Sequence, residues 1–127
     1  APEPAQRGTY YRWLFFAAGC MEPAMNNHAV GWDPAPDMQG RFGYGSFERT
    51  IDTLATWLKD RRFIAGDKFT AVDVYVASLL GFGMRFNVIP KRPEFEVYVE
   101  PLLARPARRR VEEQTQKLLA QKASAAT

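Results

Sequence analysis

The chain has 127 residues, 46% apolar and 24% charged, with a net charge of +3, which suits one globular domain with its own core. A single cysteine, Cys20, excludes an internal disulfide and points to a reducing, cytoplasmic setting, and no apolar run approaches the roughly 18 residues of a membrane span. The charge is local: Arg105 to Lys122 holds six basic residues against Glu112 and Glu113, so the remainder is near neutral and a globally basic nucleic-acid binder is excluded.

In chain order, residues 1–7 are small and Pro-rich and read as an interdomain linker. With no initiator methionine, the expectation is a piece of a longer protein. From Gly8 to Met25 the residues Tyr10, Trp13, Leu14, Ala17 and Met21 recur at helical spacing, with Tyr11, Phe15 and Ala18 beside them. Pro23 should bend or end this helix, because it lacks an N–H and crowds the preceding turn. Asn26 to Gly45 then reads as a long loop, anchored by Trp32, Phe42 and Tyr44.

A second helix is predicted from Ser46 to Lys59, capped by Ser46, with Phe47, Ile51, Leu54, Ala55 and Leu58 as its apolar stripe. A third begins at Thr70. Thr70 as N-cap and Asp73 three positions on form a capping box, and Phe69 can staple onto Val74. This third helix is apolar almost all round, as expected of the centre of a helical core. Pro93 opens a fourth helix, with Phe95, Val97 or Tyr98, Leu102 and Leu103 inward. Pro101 should kink or end it near Glu100. A fifth runs from Arg105 to about Gln121, and residues 122–127 read as a disordered tail. No strand alternation and no repeat appears. The prediction is an all-α bundle of about five helices over residues 8–121.

Trp57-Leu58, followed by "FIAGDKFTAVD" at 63–73, resembles the signature of the C-terminal helical domain of cytosolic glutathione transferases. The later "RPEFEVYVEPLLARPARRR" is similar to the closing helices of bacterial members. The pattern departs from the family at Val72, where Ala is usual, and at Pro101. The resemblance implies a parent that conjugates glutathione to electrophiles or performs a glutathione-dependent reduction. It implies an N-terminal thioredoxin-like domain as partner, which binds glutathione and holds the catalytic Tyr, Ser or Cys. No βαβ alternation or glutathione-binding Val-Pro is present here, so this chain alone should be inactive. It should supply the apolar wall of the electrophile site, with Phe16, Cys20, Glu22, Pro23 and Met25 at or near that wall, and part of a homodimer interface. The alternative is a non-catalytic protein–protein interaction module of the same fold.

The residues themselves offer little other chemistry. Cys20 and His28 are separated by Pro23, so no local dyad is encoded. His28 has no second imidazole or carboxylate cluster at metal-ligand spacing, so no metal is expected, and it reads as a surface-loop residue. Arg108-Arg109-Arg110 lacks interleaved aromatics and reads as a solvated helix face. Asp73 could be taken for a catalytic carboxylate, but capping already accounts for it.

Overall fold

The computed structural model describes residues 3–125. Within the segment read as a linker, Pro4–Gln6 form a 3-10 turn; Ala1 and Pro2 lie outside the described residues. Helix α1 is Arg7–Phe16. A π-helical turn, Ala17–Met21, leads without a break into α2, Glu22–Ala29. After a loop containing a 3-10 turn at Gln39–Arg41 come α3 (Phe47–Leu58), α4 (Ala71–Arg85), α5 (Pro93–Leu103) and α6 (Pro106–Ala125). Counting the first rod as one, there are five helices and no strand among the described residues.

Pro23 does not end the first rod. The chain stays helical through it to Ala29, so the loop begins four residues later than its composition suggests. The π turn supplies the reason. The Glu22 N–H bonds to Ala17 O, one residue further back than in an α-helix. This widens the turn just where the Pro23 ring would otherwise press on the Gly19 carbonyl. Pro101 likewise lies inside α5, which continues to Leu103. There the proline sits on the exposed side of the last turn, where one missing N–H costs a single bond.

Each core helix buries the stripe its spacing dictates. In α3 the Ser46 hydroxyl accepts from Arg49 N at 3.2 Å, and Phe47, Ile51, Leu54, Ala55 and Leu58 are all buried. In α5 the buried set is Phe95, Tyr98, Val99 and Leu102, and Val97 faces solvent. Helix α4 packs on both α5 and α1 and buries one face, with Val72, Val76, Ala77, Leu80 and Met84 inward. Although its sequence is apolar almost all round, Val74 and Phe82 on the other side are about half exposed, so it is not buried all round. Complete burial of side chains such as Phe95, Ile51 and Leu80 contributes roughly 1.5–3 kcal/mol each.

Asp73 organises the start of α4. Its Oδ2 accepts from Thr70 N at 2.8 Å and Thr70 Oγ1 at 3.1 Å. Its Oδ1 accepts from Ile64 N and Tyr98 Oη, both at 2.8 Å. One carboxylate therefore joins the turn before α4, the α4 cap and α5. Val74 is half exposed, and it shares an apolar groove with Phe69. The Phe69 ring also meets Phe63 edge-on at 6.1 Å. In the long loop, Trp32 packs on Phe42 and Phe42 on Tyr44, whose hydroxyl accepts from Asn27 Nδ2 at 2.9 Å.

Helix α6 differs from the rest. None of its residues is buried. Residues 122–125, expected as tail, belong to this helix; residues 126–127 lie outside the described residues.

Candidate functional site

The outer side of the rod formed by α1, the π turn and α2 is open to solvent. Tyr11, Phe15, Ala18 and Asn26 are exposed along it at helical spacing, and Phe15 is 68% exposed. The Tyr11 and Phe15 rings stack at 6.3 Å. Such exposed aromatics on one face are unusual unless something covers them.

The residues expected at the electrophile wall fall at different depths on this rod. Phe16 is half-buried with its ring against Trp13, centroids 5.0 Å apart. Cys20 is half-buried, and its thiol lies 3.7 Å from Gly43 O. Burial raises the Cys20 pKa, so the thiol form is favoured. Glu22 and Pro23 are half-buried. The Glu22 carboxylate accepts the Tyr75 hydroxyl, tying α2 to α4. That bond, with burial and the Glu22 charge behind it, raises the Tyr75 pKa and keeps the phenol protonated. Met25 is 5% exposed and belongs to the core, because the π turn rotates the later part of the rod relative to an unbroken α-helix.

Two clefts lie elsewhere. One of about 630 Å³ runs between α1 and α3, lined by Arg12, Trp13, Arg49, Asp52, Thr53 and Trp57. Trp13 and Trp57 lie 5.0 Å apart there, and Arg61 covers the outer face of Trp57 at 3.9 Å. Trp57 donates to Ile64 O at 2.9 Å, but buried Trp13 Nε1 has no partner among the described residues. The second cleft, about 520 Å³, lies where the end of α3 meets Pro93, Val97 and Pro101. The sequence reading missed the paired tryptophans, although Trp57 and Arg61 stand four positions apart and Arg12 adjoins Trp13.

His28 sits on the last turn of α2, not in the loop. It stacks on Phe47 at 3.8 Å, and its Nδ1 lies 2.8 Å from Asp33 Oδ2. It is thereby engaged in packing. No group of three or more His, Cys, Asp or Glu side chains among the described residues could hold a metal ion.

Residues 46–106 match the family described as glutathione S-transferase, C-terminal domain. This segment belongs to the glutathione S-transferase C-terminal domain family. No curated protein and no solved structure matches the chain. The family segment begins at the Ser46 cap and ends at the first residue of α6, so it contains the whole Asp73 network. The rod that carries Phe16, Cys20, Glu22, Pro23 and Met25 lies outside it. No helix among the described residues is long and apolar enough to cross a membrane.

Proposed function

We propose that the chain is the electrophile-side helical domain of a glutathione transferase, working beside a thioredoxin-like domain that binds glutathione. The family match supports the class. The observation that carries the division of labour is the exposed aromatic and small-residue face of the first rod. A second domain on that face would remove Tyr11 and Phe15 from water and place Phe16, Cys20 and Pro23 at the seam.

In this reading the glutathione sulfur, activated in the other domain, attacks an electrophile or reduces it. This domain supplies position and dryness. Phe16 and Pro23 give an apolar wall, which favours a flat, hydrophobic second substrate. The Glu22–Tyr75 pair forms a polar edge whose phenol stays protonated. Cys20, held as a thiol, contributes surface and not a nucleophile. Met25 acts from beneath by holding the rod in register. A homodimer and a cytoplasmic setting fit the same reading.

The test is titration of the isolated chain with glutathione and, separately, with an unreactive dinitrophenyl thioether, followed by residue-resolved NMR. The thioether should move the signals of Phe16, Cys20 and Tyr75 and glutathione should move none. No turnover of an aryl halide is expected from this chain alone. Turnover by the isolated chain, or thioether shifts confined to the Trp13–Trp57 cleft, would overturn the reading.

A further inference from the structure

Helix α6 is 20 residues long with no buried residue, and therefore about 30 Å of solvated helix. In proteins most helical stability comes from packing an amphipathic face and not from propensity alone. Here Ala107, Val111, Gln114, Leu118, Gln121 and Ala125 follow alternating steps of four and three. These positions make one stripe along the helix. Val111 and Leu118, its two large members, are both more than half exposed.

The stripe continues into a built groove. Val111 also lines an apolar cavity of about 360 Å³ at the base of α6, with Phe69, Val74, Leu102 and Leu103. Arg105 and Arg108 stand at its rim. Arg105 lies 3.8 Å over the Phe69 ring, and Arg108 pairs with Glu112 at 3.4 Å.

Charge decides what fits. By helical spacing, Arg110 and Lys117 border one edge of the stripe, and Arg108 and Lys122 border the other, whereas Glu112 and Glu113 fall toward the back. No ion pair to a carboxylate is present for Arg110, Lys117 or Lys122 among the described residues. A second copy of α6 would set like charges against like along both edges, in either orientation. A membrane surface asks for a broad, continuous apolar face. Leu119, the third large exposed residue of α6, falls off the stripe on the side of Glu112, which leaves Val111 and Leu118 interleaved with alanine and glutamine. An apolar stripe between two rows of acidic side chains satisfies every constraint.

We propose that α6 and the groove at its base form a docking surface for an acidic amphipathic helix of another protein. A large apolar side chain of that helix fills the groove bounded by Phe69, Leu102 and Val111. The partner's leucine-type stripe covers Leu118, and its carboxylates meet Arg110, Lys117 and Lys122.

The experiment uses the chain as it stands and a fluorescent synthetic helical peptide. The peptide has leucines at three-and-four spacing flanked on both sides by glutamates; its twin has lysines at those flanking positions. Anisotropy should show binding of the glutamate peptide only, weakening at least about tenfold between about 0.05 M and about 0.5 M salt. Reversing Arg110, Lys117 and Lys122 to Glu should weaken it by about tenfold or more and favour the lysine twin instead. Leu118→Gln should weaken it at both salt levels. Reversal of Arg41, Lys59 and Lys91, the same change in net charge, should leave it unaltered. All these positions are exposed, and circular dichroism checks that each variant stays folded. Equal binding of both peptides or an equal effect of the control reversal would overturn the proposal. So would no peptide binding, recruitment to phosphatidylserine vesicles in its place, or a homodimer that Leu118→Gln dissociates.

Discussion

Tyr98 on α5 donates its hydroxyl hydrogen to Asp73 Oδ1 on α4 at 2.8 Å, with both side chains buried. The same carboxylate accepts from Ile64 N, Thr70 N and Thr70 Oγ1. Removing it leaves at least two buried donors unpaired, each costing roughly 1–3 kcal/mol. Asp73→Ala should therefore lose about 3 kcal/mol or more in urea unfolding, above the ordinary loss of a cap. Tyr98→Phe alone should cost about 1–1.5 kcal/mol. In the Asp73→Ala background Tyr98→Phe should cost almost nothing, because its partner is already gone. Simple addition of the two losses would mean that this bond contributes no stability.

The same pair sets a dependence on alkaline pH. Burial first, then the Asp73 charge and the hydrogen bond to it, push the Tyr98 pKa far above its ordinary value of 10.0. A folded-state pKa raised in this way gives stability that is fully present below the unfolded value and is lost above it. Above pH 10 the unfolded chain releases the Tyr98 proton and the folded chain keeps it. Stability should fall there by up to about 1.4 kcal/mol per pH unit from this group. Tyr98→Phe should flatten that decline by about one proton's worth, measured as urea midpoints across the alkaline range. An unchanged slope would show that Tyr98 ionises alike in both states.

Two glycines of α4 should differ in their tolerance of alanine. A Cβ on Gly83 would lie 2.5 Å from Ile89 Cδ1 and 2.6 Å from Cγ1. Ile89 cannot withdraw easily, since it is 1% exposed and its N–H bonds to Gly83 O at 3.0 Å. Overpacking of about 1–3 kcal/mol should outweigh the helix gain of about 1 kcal/mol, so Gly83→Ala is expected to destabilise. On Gly81 the one close approach of the Cβ is to Leu103 Cδ1, at 2.9 Å, the end of a half-buried side chain that can turn aside; Val99 Cγ1, at 3.8 Å, is in ordinary contact. Gly81→Ala should stay within about 0.5 kcal/mol of the parent protein. Thermal melts of the two variants decide it, and a stabilised Gly83→Ala would contradict the packing described.

How far such relations could be read in advance depends on their range along the chain. The Ser46 cap and the Thr70–Asp73 pairing span three residues each, so their spacing alone exposed them. The bond from Tyr98 to Asp73 spans 25 residues and is a product of packing; its only sequence trace is a phenol at an inward position of α5, which needs a partner. Pro23 misled for the opposite reason. The local rule for proline is sound, but the π turn that accommodates it leaves no pattern in "AAGCM". The exposed face of the first rod was legible as excess apolar surface at helical spacing. Depth on that rod was not, because it depends on the same π turn. That is why Met25 stands in the core while Cys20 stays part-open.

Cys20 provides the last test, because it separates a surface role from a reactive one. Thiolate is the species that attacks disulfides and electrophiles. The Cys20 thiol is half-buried beside Gly43 O, with no cation or imidazole bonded to it, and burial raises its pKa. Its thiolate fraction near neutral pH is thus smaller than that of a free cysteine. Ellman's reagent should react with the folded chain several-fold more slowly than with a cysteine peptide at pH 7. The folded-state rate should go on climbing with pH beyond the point where the peptide levels off. Unfolding in urea should restore the peptide rate, since the shift comes from burial. Fast reaction of the folded chain at pH 7 would require an activating group that this geometry does not contain, and would return Cys20 to candidacy as a nucleophile.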